Sequence, residues 1–536
     1  MRAALDWPDA PMRVRLHRGG ATLAIAAPVD QLFSATEVNE WAWQAARGEA
    51  ELHAPGHAAA NDEDSALHTL RLHAAAERRP DLMALLDAAA RHAVPVLLDD
   101  EKLCLGYGIG SRSWPAHALP RSVDVPWSQL RGIPTALVTG SNGKTTTVRL
   151  LAAMLEAKGL RTAFCCTDGV FFDGQALEAG DYSGPAGARA VLRHPQAAAA
   201  VLETARGGLL RRGLAVDHAD AAIVTNISAD HFGEYGIDDL DGLTEAKLIV
   251  ARALDDRGVL VLNADDAQLR ARAPALEGQL AWFSLDDDHA FLRASRGDGG
   301  ATCGVLDGRL WLSHGTQRAD LGPVDAMPLS ASGLAQYNIS NIAGAVLLAD
   351  ALGIRSATIA EVLARFGRAR SDNPGRLEQW NFGGIRVLMD YAHNPEGLRG
   401  LLSIAQGLRV KGRLGLILGQ AGNRGEAEIR ALAATAASFQ PDLVVLKDME
   451  GFLRGRAAGE VAAVLRDELL AQGLSPEALP VQPGELDAAR NALAWARPGD
   501  VLVLPVHALA AKAEVGALLD RLDSDGWQAG QALPAA

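Results

Sequence analysis

The sequence predicts an α/β protein of three domains, and three observations lead to this fold class. First, 536 residues are too many for one hydrophobic core, because domains run to roughly 150 residues. Second, two long stretches, 131–373 and 374–536, each alternate apolar strand-like runs with helical segments, which is the pattern of a parallel sheet. Third, a glycine-rich turn separates the first strand and the first helix of the earlier stretch.

The composition excludes several classes of protein. With 49% apolar and 22% charged residues, the chain is too apolar to be a disordered segment. Its formal net charge of −14, from 65 acidic against 51 basic residues, disfavours nucleic acid and membrane surfaces as partners. No window approaches the roughly 18 apolar residues of a membrane span, and the four cysteines form no CxxC pair. We therefore expect a cytoplasmic protein, whose oligomeric state stays open.

Residues 1–130 are predicted to form a separate α/β domain. A strand is expected at 21–27, helices at 65–76 and 80–92, and a further strand at 94–98. These segments carry no motif with a chemical meaning. Whether this N-terminal domain binds substrate or a partner subunit stays open.

Residues 131–373 are predicted to form a central domain with a phosphate-binding loop (P-loop). An apolar strand at 133–138 leads into the loop, and the helix after the loop ends at Gly159. In a parallel sheet the ligand lies at the carboxyl ends of the strands, so polar residues that follow strands are candidates for a binding site. Further strands are expected at 197–202, 221–225 and 258–262.

Residues 374–536 are predicted to form a doubly wound, Rossmann-like C-terminal domain. Helical stretches at 427–437 and 459–470 alternate with short apolar runs, as in other doubly wound domains. The expected strands are 385–389, 414–418, 443–446 and 501–504.

The sharpest motif is Gly140-Ser-Asn-Gly-Lys-Thr145, which lies between a strand and a helix. Glycines permit a turn whose backbone N–H groups converge on a phosphate at the helix N-terminus. Lys144 adds a charge for the β- and γ-phosphates, and the Thr145 hydroxyl suits Mg²⁺. Val138 stands where the usual pattern has its first glycine, yet the strand and helix context favours nucleotide binding. The residues assigned to the nucleotide are Gly140, Ser141, Asn142, Gly143, Lys144, Thr145 and Thr146.

Two candidate metal ligands follow neighbouring strands at the same sheet edge. Glu203 follows the strand at 197–202, where its carboxylate can reach a Mg²⁺ held by Thr145; the alternative is a solvated strand-end glutamate. His231 ends the segment Asn226-Ile-Ser-Ala-Asp-His, although a lone histidine there is more often a hydrogen-bonded bystander. Because both residues are expected at the same sheet edge, we favour their interpretation as metal ligands.

Together these residues resemble the Mur ligase superfamily, the ATP-dependent amide-forming enzymes of peptidoglycan assembly, folylpolyglutamate synthesis and cyanophycin synthesis. The phosphate loop, Glu203 and the segment 226–231 match its phosphate loop, its magnesium glutamate and its Asn-x-x-x-Asp-His motif. The resemblance implies that Lys247 is carbamylated by CO₂ and, with His231, is a ligand to a second Mg²⁺. Without the resemblance, Lys247 would be interpreted as a solvated helix lysine.

Three later motifs extend the resemblance towards the C-terminus. Asn338 and Asn341 match asparagines that approach adenine, although Tyr337 replaces the usual histidine. Arg376, in Pro-Gly-Arg, matches the hinge arginine that reaches the ATP phosphates, and Asp390, in Asp-Tyr-Ala-His, matches the aspartate beside the ribose. The implied cofactors are ATP and two Mg²⁺ ions.

Within the superfamily, further segments resemble the Mur-like C-terminal half of cyanophycin synthetase. The residues before the phosphate loop are too few for the ATP-grasp half of that enzyme, so we expect this half to be missing. Gly422-Asn-Arg replaces the superfamily's Gly-Asp-Arg, which implies a changed site in the last domain. The matching segments are Thr167-Asp-Gly169, 203–208, 372–377 and Arg454-Gly-Arg456.

The implied activity is that of an ATP-dependent carboxylate–amine ligase acting through an acyl phosphate. The implied substrates are an amino-acid amine, arginine-like if Asp448 and Glu450 receive it, and a carboxylate of a small peptide or metabolite. Three alternatives stay open: a peptidoglycan-precursor or folylpolyglutamate-type ligase, a nucleotide-binding regulatory protein without ligase activity, and a kinase that releases a phosphorylated product. Catalysis is assigned to Lys144, Glu203, His231, Lys247 and Arg376, and metal binding to Thr145, Glu203, His231 and Lys247.

Overall fold

A computed structural model of the chain describes residues 1–9, 12–17, 20–48, 62–229, 232–449 and 451–534. His231 and Glu450, two residues singled out from the sequence, lie outside these ranges. Within them, every helix is too short or too polar to cross a membrane. The chain divides into a smaller unit, Met1–Ile133 with Arg193–Gln196 and Gly233–Asp238, and a larger unit made of the remaining residues.

The smaller unit contains both helices predicted for it. Helix α3 begins with Pro80 and buries Leu82, Leu85 and Ala89, which recur at helical spacing. The strand predicted at 94–98 belongs to an antiparallel sheet of order β3-β4-β5. Helix α1 was not predicted from the sequence. The elements are β1 (Arg13–His17), β2 (Gly20–Ala24), α1 (Leu32–Arg47), α2 (Glu63–Glu77), α3 (Pro80–Arg91), β3 (Val96–Leu98), β4 (Lys102–Leu105) and β5 (Arg112–Pro115).

The larger unit begins with an 11-stranded sheet that contains the phosphate loop. Its elements are β6 (Thr135–Thr139), α4 (Lys144–Ala157), β7 (Thr162–Cys166), β8 (Gly169–Phe172), β9 (Gln175–Ala179), α5 (Pro185–Leu192), β10 (Ala199–Glu203), α6 (Arg206–Arg212), β11 (Ala221–Val224), α7 (Leu240–Leu248), β12 (Val259–Asn263), α8 (Ala267–Arg272), β13 (Gln279–Ser284), α9 (Ala290–Gly297), β14 (Ala301–Leu306), β15 (Arg309–His314), β16 (Gln317–Pro323), α10 (Gln336–Ala351) and α11 (Ser356–Leu363).

The strand order of this sheet is β16-β15-β14-β13-β12-β11-β6-β10-β7-β8-β9. The seven central strands, β14-β13-β12-β11-β6-β10-β7, are parallel to one another, and antiparallel hairpins extend both edges. The central strands are continuous apolar runs because helices such as α4 and α10 cover the sheet. Since β6, β10 and β11 are parallel neighbours, the residues at their carboxyl ends meet at one edge, as predicted.

The last part of the chain forms a 6-stranded sheet of order β17-β18-β22-β19-β20-β21. All its neighbours are parallel except β17, so the predicted Rossmann-like arrangement is confirmed. Separate apolar cores form among its residues, as expected for a sheet covered on both faces. The elements are β17 (Glu378–Phe382), β18 (Ile385–Asp390), α12 (Pro395–Leu408), β19 (Leu414–Leu418), α13 (Glu426–Ala437), β20 (Leu443–Lys447), α14 (Glu460–Ala471), β21 (Val481–Gln482), α15 (Glu485–Trp495), β22 (Val501–Pro505) and α16 (Leu509–Ser524).

Candidate active site

The phosphate loop leaves β6 and enters α4, which begins at Lys144. Gly143 has a φ of +83° and lies against Asn341: a Cβ atom on this glycine would be 2.0 Å from Asn341 Oδ1. The loop is tied to the end of β11, because the Asn142 N–H donates to Asn226 Oδ1 at 2.9 Å. The sequence therefore needs glycine at position 143 both for the backbone angle and for the close approach.

Glu203 is held against the first turn of α4. The Thr145 hydroxyl donates to Glu203 Oε2 at 2.8 Å, and the Thr167 hydroxyl donates to Glu203 Oε1 at 2.9 Å. Only 1% of Glu203 is exposed, so the alternative of a solvated strand-end glutamate is wrong. A carboxylate and a hydroxyl at this distance are oxygen ligands of the kind that Mg²⁺ prefers.

Lys247 lies on α7 and reaches the start of the phosphate loop. Its Nζ donates a 2.8 Å hydrogen bond to the carbonyl oxygen of Gly140, and only 4% of the residue is exposed. The interpretation as a solvated helix lysine is therefore wrong. Its carbamylation stays a prediction.

Arg376 comes from the segment before β17 and points into the same site. Its Nη2 lies 3.4 Å from the Thr145 hydroxyl and 3.7 Å from Asp168 Oδ1, and its guanidinium stacks 4.6 Å from the centre of the Tyr391 ring. Burial opposes the charge of Arg376, but the carboxylates of Asp168 and Asp390 outweigh it, so its pKa is raised above the ordinary value. The guanidinium is thus a fixed positive charge beside the phosphate loop.

Asp168 gathers three cations around it, and we call Arg149, Arg376 and Lys512 the cation cluster. Arg149 Nη2 lies 3.5 Å from Asp168 Oδ2, and Lys512 Nζ lies 3.5 Å from Asp168 Oδ1. Burial alone would raise the pKa of Asp168, but the three cations lower it below its ordinary value. Asp168 is therefore a carboxylate that stays ionised in a nearly buried position.

Two asparagines join the P-loop to the last part of the chain. Asn373 Nδ2 donates to the Thr146 hydroxyl at 3.2 Å, and Asn394 Nδ2 donates to Asn142 Oδ1 at 2.9 Å. Because Asn373 and Asn394 flank Arg376 and Asp390 in the chain, these bonds fix the segment that carries both residues. The loop and the C-terminal sheet therefore form one site.

Two matches to known families cover most of this site. The Mur ligase middle domain matches residues 138–349, and the Mur ligase, glutamate ligase domain matches residues 375–505. A UDP-N-acetylmuramoyl-L-alanyl-D-glutamate–2,6-diaminopimelate ligase of Ectopseudomonas mendocina is 30% identical over 435 residues, which are 78% of this chain and 83% of that protein. The chain belongs to the Mur ligase family.

The chain is also similar to two other proteins. The cyanophycin synthetase of Synechocystis sp. is 32% identical over 370 residues, 68% of this chain, and the match spans 41% of the synthetase. The structure of E. coli FolC in complex with DHPP and ADP has a TM-score of 0.52 at 21% identity, covering 72% of this chain and 89% of FolC. The diaminopimelate-adding ligase and the cyanophycin synthetase confirm the predicted family, and the FolC structure confirms the α/β fold.

The structure also shows where this Mur ligase places the residues that the resemblance assigned to adenine and ribose. Asn341 Nδ2 donates to Asn338 Oδ1 at 3.3 Å, and Asn338 Nδ2 donates to the Leu329 carbonyl at 3.0 Å. Both oxygens of Asp390 accept backbone N–H groups, from Leu377 at 2.6 Å and Ala392 at 2.8 Å. Asn341 is thus beside the phosphate loop, and Asp390 orders the backbone next to Arg376.

The predicted second metal site is described only in part, because His231 lies outside the described residues. Among those that are described, no three His, Cys, Asp or Glu side chains gather as metal ligands. The oxygen pair of Thr145 and Glu203 is of the kind that binds a hard cation through few protein ligands and its own waters, as Mg²⁺ does.

In the C-terminal part of the chain, the cyanophycin-synthetase-like segment Arg454-Gly-Arg456 meets the changed Gly422-Asn-Arg segment. Arg456 Nε donates to the Gly422 carbonyl at 2.9 Å, and its Nη2 donates to the Arg424 carbonyl at 3.2 Å. Asp448 Oδ2 accepts the Gly459 N–H at 2.7 Å, whereas its buried Oδ1 has no hydrogen-bond partner among the described residues. Arg456 therefore shapes the loops around the changed Gly-Asn-Arg segment.

Several site residues go beyond the sequence-based assignment. Asp168 and Thr167 lie in a segment that the resemblance singled out, but their partners could not be predicted. Arg149 sits one helical turn past the loop, and Lys512 lies on the last helix, where no motif marks it. Only the folded chain brings these four residues to the phosphate loop.

Proposed function

We propose that this Mur ligase is an ATP-dependent carboxylate–amine ligase that acts through an acyl phosphate. The observation that carries the proposal is the meeting of three groups: Thr145 lies 2.8 Å from Glu203 and 3.4 Å from Arg376. A phosphate-loop hydroxyl, a buried carboxylate and a guanidinium from the C-terminal part of the chain are thereby placed around one point. Such a set suits the binding and transfer of a γ-phosphoryl group.

ATP is the nucleotide that we assign to this site. Its phosphates would lie on the backbone N–H groups of residues 140–146, at the N-terminus of α4. Asn338, Asn341 and Asp390 are assigned to the adenine and the ribose because their motifs match those of the family. In this proposal residues 131–373 form the ATP-binding domain, residues 374–536 close over it, and residues 1–130 form a separate domain.

Mg²⁺ fits the donor set of the site. We assign one ion to the Thr145 hydroxyl and the Glu203 carboxylate, which are hard oxygen donors. A second ion is assigned to His231 and to Lys247 as its carbamate, since a carbamate supplies an anionic oxygen at the start of the loop. When bound, the ions neutralise charge on the phosphates.

The reaction has two steps in this proposal. The carboxylate oxygen of the acceptor attacks the γ-phosphorus, the bond to the β-phosphate oxygen breaks, and ADP leaves. The amine then attacks the acyl carbon, inorganic phosphate leaves with the former carboxylate oxygen, and the amine loses a proton. Lys144 and Arg376 stabilise the negative charge of the transferring phosphoryl group. Burial of the site excludes water, which would hydrolyse the acyl phosphate.

The proposed substrates follow from the relatives and from the C-terminal loops. Similarity to cyanophycin synthetases supports an amino-acid amine joined to a carboxylate of a small peptide or metabolite. The unpartnered, buried oxygen of Asp448 supports a cationic amine such as an arginine, because a guanidinium would satisfy this acceptor. The match to a diaminopimelate-adding ligase keeps a peptidoglycan-precursor substrate as the second candidate, with a folylpolyglutamate-type ligase as a third.

A regulatory protein without ligase activity is disfavoured by the same site. Glu203 and Lys247 are buried, the Arg376 side chain is 13% exposed, and all three contact the phosphate loop or the first turn of α4. A protein that only binds a nucleotide has no need of this arrangement. The test is the Lys144→Ala variant, assayed for ADP release with an acceptor and an amine that the wild-type protein joins. We expect turnover to be lost while the thermal unfolding midpoint stays unchanged. Normal ADP release from Lys144→Ala would refute the site assignment, and the exposed Lys411→Ala is the control.

A further inference from the structure

Lys512 carries a positive charge into the site from the last helix, α16. Its Nζ lies 3.5 Å from Asp168 Oδ1, and Arg376 Nη2 lies 3.7 Å from the same oxygen atom. Two cations from different parts of the chain are therefore held against one carboxylate oxygen. No motif or family match singles out Lys512.

The position of Lys512 relates it to one end of the nucleotide site. Arg376, its neighbour across Asp168, lies 3.4 Å from the Thr145 hydroxyl. In a phosphate loop the hydroxyl after the lysine faces the metal and the β- and γ-phosphates. Lys512 is thus on the same side of the loop as the Thr145 hydroxyl, where the γ-phosphate would lie.

The charges of the cluster favour an additional anion. The side chains of Arg149, Arg376 and Lys512 are 8%, 13% and 11% exposed, so water screens their charges weakly. All three pair with the carboxylate of Asp168. The carboxylates of Asp390 and Glu203 also act on Arg376, but Asp390 already accepts two backbone N–H groups and Glu203 is assigned to a Mg²⁺ ion. With Glu203 paired to that ion, the three poorly hydrated cations have positive charge left for a further anion. Burial and the Arg376 guanidinium lower the pKa of Lys512 to about 8, as expected for cations that repel each other.

The surroundings of Lys512 hold its side chain in place. Its Nζ lies 4.6 Å from the centre of the Tyr391 ring, on which Arg376 also stacks. A Cβ atom on Gly375 would lie 3.0–3.2 Å from the Lys512 Cδ, Cε and Nζ atoms. Glycine at this hinge position, where φ is +68°, thus leaves room for the lysine beside Arg376.

We propose that Lys512 is a phosphate-binding residue whose ammonium group pairs with the γ-phosphoryl group of ATP alongside Arg376. Asp168 holds the two cations together at this place. The inference rests on the proposed function, since it assumes that ATP occupies the phosphate loop. It adds to that function a cation from the C-terminal helix, so that γ-phosphate recognition depends on both sheets of the larger unit.

The test compares nucleotides with and without a γ-phosphate. Binding of AMPPNP and of ADP, each with Mg²⁺, is measured by calorimetry for the wild type and for Lys512→Met, Lys512→Arg and the exposed control Lys411→Met. We expect Lys512→Met to weaken AMPPNP binding about tenfold and ADP binding less than about threefold, because one charge pair is lost from the γ-phosphate alone. Lys512→Arg should stay near the wild type, and Lys411→Met should equal it.

Two results would overturn this role of Lys512. Unchanged AMPPNP binding by Lys512→Met would show that the ammonium does not touch the nucleotide. Equal losses for AMPPNP and ADP would show a general effect on the site. If Lys512→Met does not fold, the AMPPNP and ADP affinities of Lys512→Gln are compared with those of Lys512→Arg instead. A wild-type protein that binds neither nucleotide would instead contradict the proposed function itself, so the two failures are distinguishable.

Discussion

The Thr145 hydroxyl donates a 2.8 Å hydrogen bond to the buried carboxylate of Glu203. This contact joins the first turn of the helix α4 to the end of the strand β10. It places the two proposed Mg²⁺ ligands together, and Thr167 holds the second carboxylate oxygen in place.

We predict that Glu203→Gln lowers kcat by about a hundredfold or more. The amide keeps the shape and can still accept from Thr145, but it removes the negative charge that binds the metal ion, and lost transition-state stabilisation of this kind has this magnitude. Steady-state ADP release measures the effect. Glu245→Gln, on the exposed side of α7, is the matched control and should change nothing. Activity of Glu203→Gln within threefold of the wild type would contradict the metal assignment.

A second prediction uses two glycines with the same backbone conformation. Gly143 and Gly159 have φ values of +83° and +92°, but a Cβ atom at 143 would lie 2.0 Å from Asn341 Oδ1, whereas one at 159 meets nothing within 4 Å. Both alanine variants carry a conformational cost of about 1–2 kcal/mol. Only Gly143→Ala should also lose AMPPNP affinity, by about tenfold or more, because the loop must move. Equal affinities in the two variants would argue against a tightly packed loop.

Carbamylation of Lys247 is tested by isotope labelling. After incubation with ¹³C-bicarbonate, the wild-type protein should give a ¹³C carbamate signal by NMR that is absent from Lys247→Gln. The buried Nζ beside the Gly140 carbonyl makes the site specific, so the exposed Lys411→Gln should keep the signal. Identical spectra of the wild type and Lys247→Gln would contradict the assignment of Lys247 as a carbamate ligand.

A pH effect on stability is predicted for a buried cluster in the C-terminal sheet. His507 Nδ1 lies 3.2 Å from Glu485 Oε1 and 3.3 Å from Lys447 Nζ, and Lys447 pairs with the same carboxylate. Burial and the Lys447 charge lower the pKa of His507 from 6.5 to about 4. The unfolded chain therefore binds more protons between these values, so this contribution to stability is complete above pH 6.5 and is lost as the pH falls towards 4.

Protonation of His507 over this pH range lowers the free energy of unfolding by at most about 3 kcal/mol. Burial opposes the charge of Glu485, but Lys447 and His507 lower its pKa, which adds a loss of the same sign at lower pH. Thermal unfolding at pH 7.5, 5.5 and 4.5 measures the effect. His507→Gln should flatten the dependence relative to the wild type, while the exposed His117→Gln should not. If the thermal unfolding midpoints of the wild type and His507→Gln fell equally with pH, the role of His507 in this pH effect would be contradicted.

The sequence predicts the parts of the fold that repeat a simple pattern. The predicted strands that became β6, β10, β11, β18, β19, β20 and β22 are found within a residue or two, because central parallel strands are apolar on both faces. The edge hairpins β8–β9 and β14–β16 go beyond the prediction, since edge strands such as β9 are exposed and lack a continuous apolar run.

In the candidate site, too, some residues could be predicted from the sequence and others could not. The phosphate loop follows from its own spacing, and Glu203 from its place after a strand. The burial of Lys247 and the convergence of Arg149, Arg376 and Lys512 on Asp168 depend on contacts between residues far apart in the chain. Neither periodicity nor a short motif records such contacts, so they emerge only from the folded protein.

A paired substrate screen tests whether the protein uses ATP to form an amide bond. The wild-type protein is given ATP, Mg²⁺ and combinations of amino acids with carboxylate acceptors, and both ADP and new products are followed, the latter by mass spectrometry. We expect ADP release that requires both an acceptor and an amine, with a product equal in mass to the two substrates less one water. ADP release that needs no amine and yields a stable phosphorylated product would contradict it.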